Sequence, residues 1–159
     1  MKFKRSFIGI LCVLSFILLS GCGADNTDTQ SNKQYEYFDV VEMIENGNYD
    51  DAKVRIDEVY KITDYSSVKG FNKAILMKLY YEKQEKYDDA IDEMLRAYND
   101  GNYARKIADG IDGTDEEIPA RTIIQSINEL LEKVSEEKKS EVLTKIDEEI
   151  INKYSNEEW

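Results

Sequence analysis

From Tyr35 onward, apolar residues recur at spacings of three and four, and no alternating run is long enough for a convincing strand. That periodicity predicts amphipathic helices. A first stripe of Tyr37, Val40, Val41 and Ile44 stops at Asn46 and Gly47, where glycine is well placed to end a helix. A second stripe holds Tyr49, Ala52, Ile56 and Val59, and a fourth holds Tyr87, Ala90, Met94 and Ala97. Between them the stretch from Phe71 to Tyr81 is apolar on nearly every side and is expected to lie centrally. Further on, Ile123, Ile127, Leu130, Leu131 and Val134 make one stripe, and Val142, Leu143, Ile146 and Ile150 another. The polar run from Ser135 to Glu141 admits two readings: a turn with Ser135 as N-cap, or one long helix passing through Lys138.

The tetrapeptide Tyr49-Asp50-Asp51-Ala52 recurs unchanged as Tyr87-Asp88-Asp89-Ala90, 38 residues later. This is read as an internal repeat. Each copy follows a helix and a tight polar turn, so each unit is an antiparallel hairpin whose apolar stripe needs a neighbour. The pattern resembles the tetratricopeptide repeat. Gly47, Tyr49, Ala52, Ile56 and Val59 fill that family's second-helix places in the first copy. Glu85, Tyr87, Ala90, Met94 and Ala97 do so in the second, with Tyr81 at the tyrosine place of the first helix. The departures are Val40 and Lys78 where the family has a small residue, the missing terminal proline, and a period longer than the family's about 34 residues. Thr63 to Gly70 are expected to hold the extra length, with Ser66 or Ser67 capping the next helix. A third start at Gly101, Asn102 and Tyr103 has Lys106 in place of the alanine, and Gly110 and Gly113 interrupt any helix there. The resemblance implies an extended peptide or partner helix held on a concave side. A one-off helical bundle with convergent hairpins fits two copies as well.

The expected fold is therefore all-α: antiparallel helix hairpins stacked as a short tetratricopeptide-like array with a C-terminal helical hairpin, in about six or seven helices. The divisions are a body at 35–159, with hairpins at 35–100, an acidic glycine-containing connection at 101–118 and C-terminal helices at 119–154.

The start of the chain has a different texture. Lys2, Lys4 and Arg5 precede an apolar stretch from Phe7 to Leu19, and no acid occurs before Asp25. Thirteen helical residues rise only about 20 Å, short of a hydrocarbon core of about 30 Å, so a targeting segment is expected and a permanent span is not. Leu19, Ser20, Gly21 and Cys22 resemble the lipobox of bacterial lipoproteins. That resemblance implies loss of residues 1–21, a diacylglyceryl group on the Cys22 thiol, and Cys22 as the mature N-terminus. A thiolate is the nucleophile such lipidation needs. Two acyl chains such as palmitate, at about 0.8 kcal/mol per buried methylene, give stable anchoring where one chain does not. An ordinary signal peptide with a chance cysteine is the alternative. Cys12 would leave with the segment, so the mature chain could form no internal disulfide. The polar stretch at 22–34 reads as a flexible tether with a reach of roughly 20 Å.

Composition narrows the function. Without Lys2, Lys4 and Arg5, 18 basic residues face 33 acidic ones, a formal charge of −15 that repels nucleic acid and anionic headgroups. Seventeen Ile and eleven Tyr supply enough apolar surface for a folded domain despite that charge. The chain has no histidine, which excludes serine–histidine and cysteine–histidine catalysis and histidine-ligated metals. Carboxylate chemistry stays open, although with so many acids most belong to a solvated surface. Asp109, Asp112, Asp115, Glu116 and Glu117, between two glycines, make the best candidate for calcium, yet lack EF-hand spacing. Thr114 and Glu117 before Pro119 read equally as a helix start. Tyr65, Tyr80, Tyr81 and Tyr103 are candidates for lining a peptide or glycan groove, whereas Tyr49 and Tyr87 are expected in the core. The combined expectation assigns no catalytic residue, cofactor or metal ligand, and lipid attachment at Cys22. It is a membrane-anchored, extracytoplasmic scaffold that binds a protein partner and no nucleic acid. The competing reading is an envelope accessory factor, carboxylate- or metal-dependent, acting on glycan or sensing divalent cations.

Overall fold

A computed structural model describes residues 27–61 and 64–155, with side chains described from Glu36 to Tyr154. Cys22, Cys12 and the targeting segment at 1–21 lie outside the described residues. The described residues form eight helices and no strand: α1 (Thr27–Glu45), α2 (Tyr49–Val59), α3 (Val68–Glu82), α4 (Tyr87–Asp100), α5 (Tyr103–Asp109), α6 (Glu117–Leu131), α7 (Glu136–Leu143) and α8 (Glu148–Ser155). The protein is all-α, and its helices pack as an array of hairpins. Residues 35–61 and 64–155 belong to one compact unit.

The two hairpin turns share one backbone design. In the first, the Asn48 amide donates to the Met43 carbonyl and the Gly47 amide to Ile44, at 2.9 and 3.1 Å. In the second, the Lys86 amide donates to Tyr81 and the Glu85 amide to Glu82, both at 3.0 Å. These paired bonds close a Schellman motif, which places one residue in the left-handed region: Gly47 with φ +77° and Glu85 with φ +58°. The residues that follow, Asn48 and Lys86, have nearly equal dihedrals (−81°, 58° and −91°, 65°). The 38-residue repeat is thus one of backbone geometry as well as of sequence.

Sequence-readable caps set other boundaries. The Ser67 hydroxyl accepts from the Gly70 amide and starts α3, and Ser135 accepts from the Lys138 amide and starts α7. Gly70 is needed for a different reason: a Cβ there would collide with the backbone of Asp64 and Tyr65, which pack directly on α3.

α3 packs against α4, α4 against α6, and α6 against α8, with α2 on α3 and α5 on α4 as lesser contacts. Ala90 and Ala97 are fully buried in α4, and such small residues let neighbouring helices approach closely. They join Ile91, Met94, Leu95 and Tyr98 in a core shared with Ile123, Ile124, Ile127 and Leu130 of α6 and Ile151 and Tyr154 of α8.

Three expectations are corrected. Residues 27–34, expected within the flexible tether at 22–34, are helical as the start of α1, and residues 22–26 lie outside the described residues. Once the packed half of a helix is nucleated, each added residue gains a hydrogen bond at little cost, even without an apolar stripe. The connection at 101–118 contains α5, with the left-handed residue moved to Asn102 (φ +57°) and the helix ended at Gly110 (φ +88°). The C-terminal stripe is two helices, not one: α7 stops at Leu143, and the Asp147 carboxylate accepts from the Glu149 amide to start α8. Ser135 to Glu141 is accordingly a cap followed by helix rather than a turn.

Candidate interaction surface

Successive turns line one end of the array and are tied to each other. Lys83, after α3, reaches Glu45 at the end of α1, with Nζ 2.6 Å from a carboxylate oxygen, and the Tyr49 hydroxyl donates to the Lys83 carbonyl at 3.1 Å. Lys133, after α6, reaches Glu82 at the end of α3 at 2.7 Å, and its ammonium lies 5.3 Å from the Tyr87 ring centroid. Tyr49 and Tyr87 occupy equivalent places, each half-buried between its own turn and the next helix of the array.

The two junctions are filled differently. In the first, Tyr80 meets Tyr49 edge-on, with centroids 6.0 Å apart, and Tyr81 continues the cluster at 5.3 Å from Tyr80. Burial pushes the Tyr81 hydroxyl upward from its ordinary value. In the second junction a shallow pocket of about 350 Å³ opens between the turn at 85–89 and residues 133–135. Beside it, burial pushes the Glu82 carboxyl up, but Lys78 and Lys133 outweigh that and hold it below the ordinary carboxylate range.

The tyrosine candidates divide. Tyr80 and Tyr81 are half-buried on the described surface, whereas Tyr65 and Tyr103 are buried and line no groove. Tyr65 donates to Glu93 at 2.6 Å, and Glu93 also holds Arg96 at 2.9 Å. Burial and the Glu93 carboxylate push the Tyr65 hydroxyl up to about 12. Burial also pushes Tyr103 up to about 12. Tyr65 pins the loop before α3, and Tyr103 the start of α5, to the core. Tyr49 and Tyr87, expected in the core, lie at its rim.

Within the acidic loop, Asp109 faces Arg105, Asp112 faces Lys153, Glu116 faces Lys106, and Glu117 faces Arg121. The Glu117 carboxylate also accepts from the Gly113 amide, and the Thr114 hydroxyl donates to the Ile111 carbonyl at 2.7 Å. These acids are held in ion pairs and turn bonds beside the start of α6, whose N-cap Glu116 makes no side-chain capping bond and whose first turn holds Pro119. No three acidic residues or cysteines converge to hold a metal ion among the described residues.

Two features escaped sequence reasoning. Tyr60 and Tyr98 are a further matched pair at the 38-residue spacing, both buried, and both have their hydroxyl groups pushed up by burial. α6 acts as the next helix packed on the repeat, although no repeat motif marks it. Its turn is built differently from that of α3: the Val134 amide donates four residues back to Leu130 at 3.2 Å, and Val134 is not left-handed as Glu85 is.

No family model matches the chain, and neither the curated proteins nor the solved structures contain a match to it. Among the described residues no helix is long and apolar enough to cross a membrane.

Proposed function

We propose that the chain is an extracytoplasmic lipoprotein, anchored through Cys22, whose tetratricopeptide-like hairpin array serves as a scaffold for a protein partner at the cell envelope. The membrane half of this reading rests on Leu19-Ser20-Gly21-Cys22 after a basic and apolar leader. The binding half rests chiefly on one observation: a stack of hairpins with repeated turns that presents half-buried tyrosines and a pocket along one end. Such faces offer apolar area with polar handles and need no catalytic group. The charge of the chain favours basic partner surfaces.

Each half has its own test. Replacing Cys22 with Ala is expected to move the protein from the detergent-soluble membrane fraction to the soluble fraction. Retention in the membrane would overturn the anchor. Photo-crosslinking in cells from residues 80, 87 and 134 is expected to capture a discrete protein, and capture of only glycan fragments would transfer the role to carbohydrate binding.

A further inference from the structure

The two matched hairpin turns share a backbone but not a chemistry. The first reads Asn46-Gly47-Asn48 and the second Gln84-Glu85-Lys86. When the backbone nitrogen of the next residue attacks an asparagine side chain, a five-membered imide closes. A glutamine must close a six-membered ring, which forms far more slowly. The nitrogen is shielded by the side chain of the residue that carries it, and at Gly47 there is none. Every other asparagine of the chain precedes a residue with a side chain, as Asn48 precedes Tyr49 and Asn102 precedes Tyr103.

The first turn is open to this reaction. Asn46 and Gly47 are both exposed, and a Cβ at Gly47 would meet nothing within 4 Å, so no neighbouring group roofs the place where the ring closes. The Gly47 amide donates to the Ile44 carbonyl at 3.1 Å, at the exposed end of α1, and fraying of such an end costs little. Gln84 is held by contrast: it is half-buried, and its side-chain amide donates to the Tyr80 carbonyl at 3.0 Å. We propose that Asn46 is a site of spontaneous deamidation, which ages the first turn and spares the second. With the turn frayed, the deprotonated Gly47 nitrogen attacks the side-chain carbonyl carbon of Asn46. A C–N bond forms, and the side-chain nitrogen leaves as ammonia. Water then adds to either imide carbonyl and opens the ring, leaving an aspartyl or an isoaspartyl residue at 46. Either product puts a carboxylate at the C-terminal end of α1, where the helix dipole disfavours negative charge, next to the Glu45 that holds Lys83. The isoaspartyl product also inserts a methylene into the main chain, inside the ring that the Asn48 amide closes on the Met43 carbonyl.

The test incubates the full folded chain in mildly alkaline buffer and then cuts it with trypsin. The peptide 34–53, released at Lys33 and Lys53, is read by mass and by electron-transfer fragmentation, which distinguishes isoaspartyl from aspartyl. A gain of about one dalton at Asn46 is expected at least about tenfold faster than at any other asparagine after Tyr35, a barrier difference of about 1.4 kcal/mol. The isoaspartyl form should exceed the aspartyl one. Gly47→Ala, which puts a side chain beside the attacking nitrogen, should slow the conversion at least about tenfold. Gln84→Asn with Glu85→Gly moves the pair into the second turn and should create a second fast site there, which decides the matter if Gly47→Ala misfolds. Conversion at Asn46 no faster than at Asn48 or Asn102 would overturn the proposal. So would undiminished conversion in a folded Gly47→Ala variant, or a transplanted pair that stays intact.

Discussion

The second helices of the two hairpins carry the same tetrapeptide and diverge at the next turn, and the divergence records how many neighbours each has. In α2, Lys53 and Asp57 are one helical turn apart and form a surface ion pair at 2.5 Å. The equivalent residues of α4 are Ile91 and Leu95, both buried in the core against α6 and α8. Meanwhile Ala52 and Ala90, and Ile56 and Met94, are buried in both copies. The shared positions build the hairpin, and the differing positions decide whether a further layer covers it. An outer unit keeps charge on its free face, as the ends of repeat arrays must for solubility.

The largest predicted effect comes from exchanging those faces. Leu95→Asp places a carboxylate in the core without a partner and is expected to cost about 3–5 kcal/mol, measured by urea denaturation. Asp57→Leu at the equivalent place should stay within about 0.5 kcal/mol. Equal costs at the two positions would refute the assignment of outer and covered helices.

Alkaline titration probes the matched tyrosines next. Burial pushes Tyr60 to about 12, and Tyr98 upward too, from an ordinary value near 10. A phenol whose folded value is raised stabilises the fold fully below its unfolded value and ceases to do so as pH climbs through the folded one. Stability is expected to fall between pH 10 and 12, with phenolate absorbance rising together with loss of helical signal. In urea the same absorbance should rise near pH 10. Tyr60→Phe and Tyr98→Phe each remove part of the folded-state delay, and the two variants test whether both copies contribute.

The legible part of the fold was what local spacing encodes. Stripes at three and four gave the helices of both hairpins, and the repeated Tyr-Asp-Asp-Ala placed their turns. Ser67 and Ser135 announced caps because a hydroxyl before an amphipathic run has a local job. What spacing could not reveal depended on tertiary context. The stripe from Val142 to Ile150 keeps helical periodicity across the break after Leu143, so only the Asp147 cap distinguishes two helices from one. Tyr65 and Tyr103 read as surface candidates, since a tyrosine outside a recognised stripe gives no hint of the core side chains that bury it. The pocket was hidden because residues 85–89 and 133–135, far apart in the chain, meet only once α4 packs on α6.

The turn residues permit a finer comparison. Gly47 and Glu85 both have positive φ, but only Gly47 is free of the steric cost of a side chain in that region. A Cβ at Gly47 would meet nothing within 4 Å, so Gly47→Ala isolates the backbone term. It is expected to destabilise by about 1 kcal/mol, whereas Glu85→Gly should stabilise by up to about 1 kcal/mol, less the entropy glycine adds to the unfolded chain. Opposite signs in thermal melts would support matched turns. If Glu85→Gly destabilised, some contact of the Glu85 side chain would have to outweigh the strain.

The smallest effects distinguish the two lysines that tie successive turns together. Lys83 and Glu45 have side chains 36% and 34% exposed, whereas Glu82, the partner of Lys133, is only 18% exposed and also holds Lys78. Surface pairs contribute about 0–1 kcal/mol, with the better-shielded network at the upper end. Lys133→Met is therefore expected to lower stability by more than Lys83→Met, and added salt should shrink both losses. The sign with pH follows from Glu82, whose folded value is held below 4.5 by its lysines against the opposing push of burial. Its stabilisation is present above 4.5 and is lost as pH falls through that lower value. The cost of Lys133→Met measured at pH 7 should accordingly fade in acid. A cost unchanged at a pH where Glu82 is protonated would mean that Lys133 acts through the Tyr87 ring rather than through the carboxylate.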